Sequence, residues 1–188
     1  LSTMSQYLNR VQRKVSRVIH HARRNWALPS LRGFHDKTED LREELTSAHE
    51  RYVTSVSTPE MAASLEVSVL LYHLCRVKRP DSILDLGSGF SSFVLRRCAM
   101  KTDEASVISV DDHAGWLSKT EEYLAEHGLP TDRLVEFADF DFGEHRGEFD
   151  LIFHDLGSME VRKETLKSVI SVLSKDDGLV VLDDYHKS

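Results

Sequence analysis

The sequence contains few cysteines, no long apolar run and no internal repeat. Cys75 and Cys98 are the only cysteines among 188 residues, and their spacing matches neither a zinc site nor a redox pair. We therefore predict that both are small core residues of a cytoplasmic protein, kept reduced in that compartment. No stretch of about 18 apolar residues occurs, so a membrane span is not expected. The length suits one domain with a substantial core.

Acidic residues are missing from the first 30 positions, which carry six basic residues, whereas the whole chain has a net charge of −7. The remaining residues are therefore strongly acidic, which excludes DNA and argues against RNA as a partner. Apolar residues recur at steps of three and four in the basic segment, as on one face of a helix: Met4, Leu8, Val11, Val15, Val18 and Ala22. A membrane-surface helix, an RNA-contacting arm and a targeting peptide are alternatives. We favour a helix that packs on the body or on a second copy.

The chain is predicted to consist of a helical N-terminal extension over residues 1–56 and a second domain over residues 57–188. The stretch "STPEM" predicts a helix start, with Thr58 as the cap and Pro59 in the first turn. After it, five strands alternate with helices: "SILDL", "SVISVD", "RLVEFAD", "FDLIFHD" and "GLVVLDD". This alternation predicts an α/β fold with a doubly wound, mainly parallel sheet of the Rossmann-like type.

The turn after the first strand, "DLGSGFSS", is the most informative motif. Gly87 and Gly89 let the backbone turn tightly and approach a ligand closely. A dinucleotide fingerprint would place a third glycine at position 92, where this chain has Ser92. Asp85 precedes the turn and would repel a diphosphate but not an ammonium group. The motif thus favours a nucleoside joined to an amino acid.

Acidic residues also end the second and third predicted strands. Asp111 can accept hydrogen bonds from ribose hydroxyls, and Asp112 beside it is also a predicted cofactor-binding residue. Alternatively, Asp112 or His113 can cap the helix that follows. Asp139 can accept from an adenine amino group while Phe140 packs on the ring. These residues predict a nucleoside site across the carboxyl ends of the strands.

Two other residues in this part of the chain are predicted to be structural. Trp116 is interpreted as core packing rather than as an adenine stack. His154 alternates into the sheet and is predicted to be a buried core histidine.

These motifs, in this order over residues 57–188, resemble those of class I S-adenosylmethionine-dependent methyltransferases. The resemblance implies that Asp85 lies near the amino group of the cofactor and that Gly87, Ser88 and Gly89 contact its methionine portion. It further implies that Asp111 binds the ribose and that Asp139 binds the adenine. It also implies two further strands after the fifth. We therefore expect that the C-terminal strands are missing and that an open sheet edge, or the N-terminal helix, forms a homodimer.

Carboxylates at the ends of the last two predicted strands suggest a metal. Asp155 follows the fourth strand, and Asp183 and Asp184 follow the fifth, so that three carboxyl groups would converge on one rim. Such a set suits Mg²⁺ or another divalent cation, which would acidify a bound hydroxyl.

This set is similar to that of the cation-dependent O-methyltransferases of catechols and caffeoyl-CoA, with two departures. Asp184 stands where that group has Asn, and Ser158 stands where the catechol enzymes have Lys. Asp155 is predicted to act in catalysis as well as in metal binding, and His186 or Lys187 is an alternative for the base.

The expected function is methylation of a small-molecule hydroxyl. One alternative is an NAD(P)-dependent oxidoreductase on the same kind of sheet. Another is a non-catalytic cofactor-binding module that interacts through its basic helix.

Overall fold

The computed structural model describes Phe34, residues 38–102 and residues 105–183. The chain divides into two compact units, Leu1–Lys37 and Thr38–Ser188, and the helices and strands described here belong to the second unit. The predicted basic helix, as well as Asp184, His186 and Lys187, lies outside the described residues.

Within the described residues, five strands form one parallel sheet in the order β3-β2-β1-β4-β5. The strands are β1 (Ser82–Leu86), β2 (Ser106–Asp111), β3 (Leu134–Glu136), β4 (Leu151–His154) and β5 (Leu179–Leu182). Strand order reverses between β1 and β4, so a crevice opens beyond their carboxyl ends. The predicted doubly wound parallel sheet is confirmed.

Helices on both faces explain why the central strands are buried along almost their whole length. The helices are α1 (Glu39–Ser55), α2 (Leu65–Lys78), α3 (Phe90–Ala99), α4 (Ala114–Glu126) and α5 (Met159–Val172). Every residue of β4, and every residue of β1 after Ser82, is buried, as expected of a parallel sheet covered on both sides. Cys75 and Cys98 are buried and form no disulfide, in agreement with the core role predicted for them.

The helix before β1 begins later than the sequence predicts. Thr58 does not cap a helix; its carbonyl accepts from Met61 N at 3.2 Å and Ala62 N at 3.0 Å, which closes a turn. Ser64 caps α2 instead, because its hydroxyl accepts from Val67 N at 3.2 Å. The "STPEM" prediction is therefore wrong by about two turns of helix, and the segment is a loop that reaches the crevice.

Helix α1 packs as part of the second unit. Its Tyr52 is 1% exposed, and its ring centroid lies 5.3 Å from that of Phe90 and 4.9 Å from that of Tyr123. Tyr123 in turn donates to Ala48 O at 3.1 Å. The compact unit begins at Thr38, and the domain boundary at residue 57 remains a prediction.

The third strand is shorter than predicted. It pairs with β2 over only three residues and gives way to a turn of 3-10 helix, Phe137–Asp139. Phe140 follows this turn and packs in the core cluster, with its ring stacked 4.9 Å from that of His145. The polypeptide therefore leaves the sheet after Glu136, and the Phe140 side chain packs in the hydrophobic core.

Candidate active site

A cleft of about 370 Å³ lies beyond the carboxyl ends of the central strands. The turn after β1, the ends of β2, β4 and β5, and the loop before α2 all contribute to its walls. Its acidic lining residues are Glu60, Asp111, Asp112, Asp155 and Asp183, and the basic one among the described residues is Arg162. The excess of negative charge makes the cleft electrostatically suited to a cationic ligand.

The glycine turn forms the floor of this cleft. Gly87 has φ +105°, and a Cβ there would lie 2.9 Å from the carbonyl carbon of Asp155 and 3.1 Å from Leu156 N. Gly89 has φ +146°, and its Cβ would lie 3.1 Å from the Tyr52 hydroxyl. Both positions thus combine a backbone conformation that side chains avoid with a close approach. Glycine is required at these two positions because backbone atoms that follow β4 and the Tyr52 hydroxyl of α1 lie close to them.

Asp85 lies beneath the turn rather than in the cleft. It is fully buried, and its Oδ2 accepts from Ser92 Oγ and, at 2.9 Å, from Ser109 Oγ. Arg96 donates to the same Ser109 hydroxyl at 2.6 Å. Burial raises the pKa of Asp85 to about 6, although the serine hydrogen bonds and Arg96 oppose the rise. Asp85 thus holds the turn through Ser92, whose hydroxyl also accepts from Gly89 N, and it is not among the residues that line the cleft.

Asp111 fixes the second strand end to the turn. Its Oδ2 accepts from Ser88 N at 2.7 Å and Ser88 Oγ at 2.9 Å, and its Oδ1 accepts from His113 N at 2.9 Å. Burial raises the pKa of Asp111 above its usual range. A carboxylate offers about four acceptor sites, so Oδ1 keeps capacity for a further donor.

The neighbouring Asp112 is exposed and lines the same cleft. His113 caps α4 with its ring, since Nδ1 accepts from Gly115 N at 3.1 Å. The structure therefore brings Ser88, Asp111 and Asp112 together with the glycine turn, as the sequence predicts.

The other predicted nucleoside contacts lie elsewhere. Asp139 is exposed, Phe140 is buried in the core, and neither lines this cleft. Trp116, assigned to the core by the sequence analysis, is instead half-buried in the cleft wall, with Lys119 Nζ 4.2 Å from its ring centroid. Trp116 thus joins Tyr52 and Phe90 as an aromatic residue of the cleft lining, whereas the residue after β3 does not.

The ends of β4 and β5 meet at the opposite wall. Asp155 and Asp183 both line the cleft, as predicted from neighbouring strands. Arg162 of α5 lies between them: its Nη2 is 2.6 Å from Asp155 Oδ1, and its Nη1 donates to Asp183 O at 3.0 Å. Arg162 was not predicted from the sequence. A basic residue near the start of a surface helix gives no indication that its side chain will contact the loops after β4 and β5.

The residues described here do not fit the predicted metal well. No three His, Cys, Asp or Glu side chains in the described part of the chain are grouped as metal ligands. The Asp155 carboxylate already contacts a guanidinium, and a positive charge at that distance opposes a divalent cation on the same oxygen atoms. Asp184, the third predicted ligand, lies outside the described residues.

His154 is a core histidine, as predicted. It is fully buried at the end of β4, and its Nε2 shares a hydrogen bond of 2.9 Å with Thr165 Oγ1. Its Nδ1 has no partner among the described residues. Burial lowers the pKa of His154 from 6.5 to about 4, because the charged ring would lose its hydration.

This shift predicts an acid-dependent loss of stability. The unfolded state binds a proton near pH 6.5 and the folded state only near pH 4, so stability is fully present above pH 6.5 and falls as the pH drops towards 4. Between pH 7 and pH 5, the wild type should lose about 2 kcal/mol more free energy of unfolding than His154→Gln. Urea unfolding of both proteins at both pH values measures this difference. Equal losses in the two proteins would contradict the assignment.

A family profile described as "Methyltransferase domain" matches residues 84–185. A search of curated proteins found no significant match. No helix among the described residues has the length and apolarity needed to cross a membrane.

Several solved structures share the fold. A Podospora anserina methyltransferase, PaMTH1, solved with bound SAH, is 19% identical, with a TM-score of 0.60 over 79% of this chain and 68% of that one. The O-methyltransferase TomG from Streptomyces achromogenes, solved with SAM, is 20% identical, with a TM-score of 0.57 over 72% and 63%. An O-methyltransferase from Bacillus cereus in complex with SAH is 16% identical, with a TM-score of 0.55 over 77% and 66%. The chain spans about two thirds of the length of these proteins.

Proposed function

Because the chain belongs to the methyltransferase-domain family, we propose that it transfers the methyl group of S-adenosylmethionine (SAM) to a hydroxyl oxygen of a small molecule. The observation that carries this proposal is the Gly87–Gly89 turn, in which a Cβ on Gly87 would lie 2.9 Å from the Asp155 carbonyl carbon, and which lies beside Asp111 and Asp112. The resemblance seen in the sequence is confirmed at the level of family and fold.

The cleft offers complementary partners for the carboxylate, the ribose, the adenine ring and the sulfonium of SAM. The amino acid tail would lie on the glycine turn, with its carboxylate towards the N–H groups that begin α3 at Phe90. The ribose hydroxyls would donate to Asp111 and Asp112, and Trp116 offers an aromatic face to a planar ring. The acidic walls favour the positive sulfonium over a neutral or anionic ligand.

The reaction is an in-line displacement at the methyl carbon. An acceptor oxygen forms the new bond to carbon while the carbon–sulfur bond breaks and its electron pair returns to sulfur, which leaves S-adenosylhomocysteine (SAH). The protein must hold the oxygen in line and remove its proton. Asp155, whose side chain lines the cleft beside the end of β4, would take that proton. His186 remains a predicted base outside the described residues.

The finer predictions about partners remain part of this proposal. The acceptor is a small molecule and not DNA or RNA, because the lining of the cleft is acidic and would repel phosphates. Homodimer formation through the N-terminal helix or the sheet edge remains a prediction. The predicted divalent cation is not used in this mechanism, since Arg162 already contacts Asp155.

Calorimetry with SAH and NADH tests the donor directly. We expect saturable 1:1 binding of SAH and no measurable heat with NADH, because a diphosphate would face the acids of the cleft. NADH binding with no response to SAH would contradict the proposal and favour the oxidoreductase alternative. SAH binding without turnover on any hydroxyl acceptor would favour the non-catalytic module instead.

A further inference from the structure

Arg162 connects the loops that follow two neighbouring strands. Its Nε donates to Leu156 O at 3.2 Å, its Nη2 to Asp155 O at 3.0 Å and to Gly157 O at 3.1 Å. Its Nη1 donates to Asp183 O at 3.0 Å, after β5. One side chain thus ties the end of β4 to the end of β5.

The guanidinium has little left to offer a substrate. An arginine side chain has five N–H donors, and here each of its three nitrogens already faces a carbonyl oxygen of the protein. Nη2 also makes the 2.6 Å contact with Asp155 Oδ1. The Arg162 side chain is only 13% exposed, so this pair is shielded from water in a way that surface ion pairs are not. Arg162 therefore acts through the groups it holds.

The positive charge of Arg162 lies at the carboxyl ends of β4 and β5, where the sequence predicts a bound cation. The carboxylates after β4 and β5 were expected to converge there on a divalent ion, and in the structure a guanidinium makes the contact with the first of them. A guanidinium keeps its charge throughout the ordinary pH range and binds carboxylate with directional hydrogen bonds.

We infer that Arg162 is a positioning residue that supplies the cleft with a built-in cation, so that the ends of β4 and β5 are ordered without a bound metal. This inference rests on the proposed function, because it concerns the same cleft. The Asp155 carbonyl that Arg162 holds is also the group that a Cβ on Gly87 would strike. Arg162 therefore stabilises the wall against which the cofactor-binding turn is packed.

Three variants separate charge from packing. Arg162→Met keeps the length of the side chain and removes its charge, whereas Arg162→Lys keeps the charge with fewer donors. SAH affinity should fall about 30-fold in Arg162→Met and clearly less in Arg162→Lys, because the ion pair with Asp155 survives in part. In Arg162→Ala, 20 mM guanidinium chloride should restore SAH affinity about threefold or more, while equal sodium chloride should not. The wild type should respond to neither salt.

Manganese provides the second readout. With saturating SAH, the full-length wild type should show no saturable Mn²⁺ binding up to about 1 mM in calorimetry, a range in which a built carboxylate site would fill. A 1:1 Mn²⁺ site that disappears in Asp155→Asn would overturn the inference. Equal SAH affinities of the Met and Lys variants, or failure of guanidinium to rescue Arg162→Ala, would overturn it as well. SAH binding by the wild type is measured first, since its loss would refute the proposed function rather than the role of Arg162.

Discussion

Gly87→Ala is expected to abolish measurable SAH binding and to lower the free energy of unfolding by about 3–5 kcal/mol. The added Cβ would meet the Asp155 carbonyl carbon at 2.9 Å, and backbone atoms on a central strand end cannot move aside as a flexible side chain can. The φ of +105° adds conformational strain for any residue with a side chain. Thermal unfolding with and without SAH measures both effects in one experiment.

Gly128→Ala is the matched control for this variant. Gly128 also has a positive φ, +64°, but no described atom lies within 4 Å of a Cβ placed there. It should cost about 1 kcal/mol of stability and leave the SAH-induced rise in melting temperature unchanged. A Gly87→Ala protein that still gains the wild-type rise with SAH would show that the turn does not contact the cofactor.

Asp111→Asn is expected to weaken SAH binding on the order of 100-fold, or about 2.7 kcal/mol. The amide can still accept from Ser88, but its NH₂ group cannot accept from His113 N or from a ribose hydroxyl. The substitution should weaken SAH binding more than it lowers the stability of the fold, because the carboxamide keeps the shape of the carboxylate and part of its hydrogen bonding. Calorimetric titration with SAH measures the change.

Glu121→Gln is the control for Asp111→Asn, since it removes one negative charge from the exposed face of the same region without touching the cleft. Its SAH affinity should stay within about twofold of the wild type, because an exposed charge outside the cleft interacts with the ligand mainly through water, where Coulomb energies are small. Comparable losses in the two variants would mean that net charge, and not the β2 carboxylate, governs binding.

Local patterns in the sequence predicted the parts of the site that depend on backbone geometry. A strand followed by Gly87 and Gly89 fixes where the crevice opens, and parallel strands place Asp111 and Asp155 at the same edge of the sheet. These features follow from periodicity and turn chemistry, which act over a few residues. Their arrangement in the structure agrees with those predictions.

Features that depend on packing between distant elements could not be predicted in this way. Tyr52 reaches Gly89 because α1 packs on α3, and Arg162 reaches Asp183 across a loop. Asp85 is buried where Ser92 of α3 and Ser109 of β2 donate to its Oδ2, a pairing between separate elements that a strand pattern cannot show. Phe140 turns inward because the aromatic cluster below β3 offers it a partner in His145.

A crystal structure of the chain with SAH tests the central claim most directly. We expect the amino acid portion of the ligand on the Gly87–Gly89 turn, and its ribose hydroxyls within hydrogen-bond distance of the carboxylates of Asp111 or Asp112. Electron density for SAH outside the cleft, with the turn packed against other protein atoms, would contradict the account.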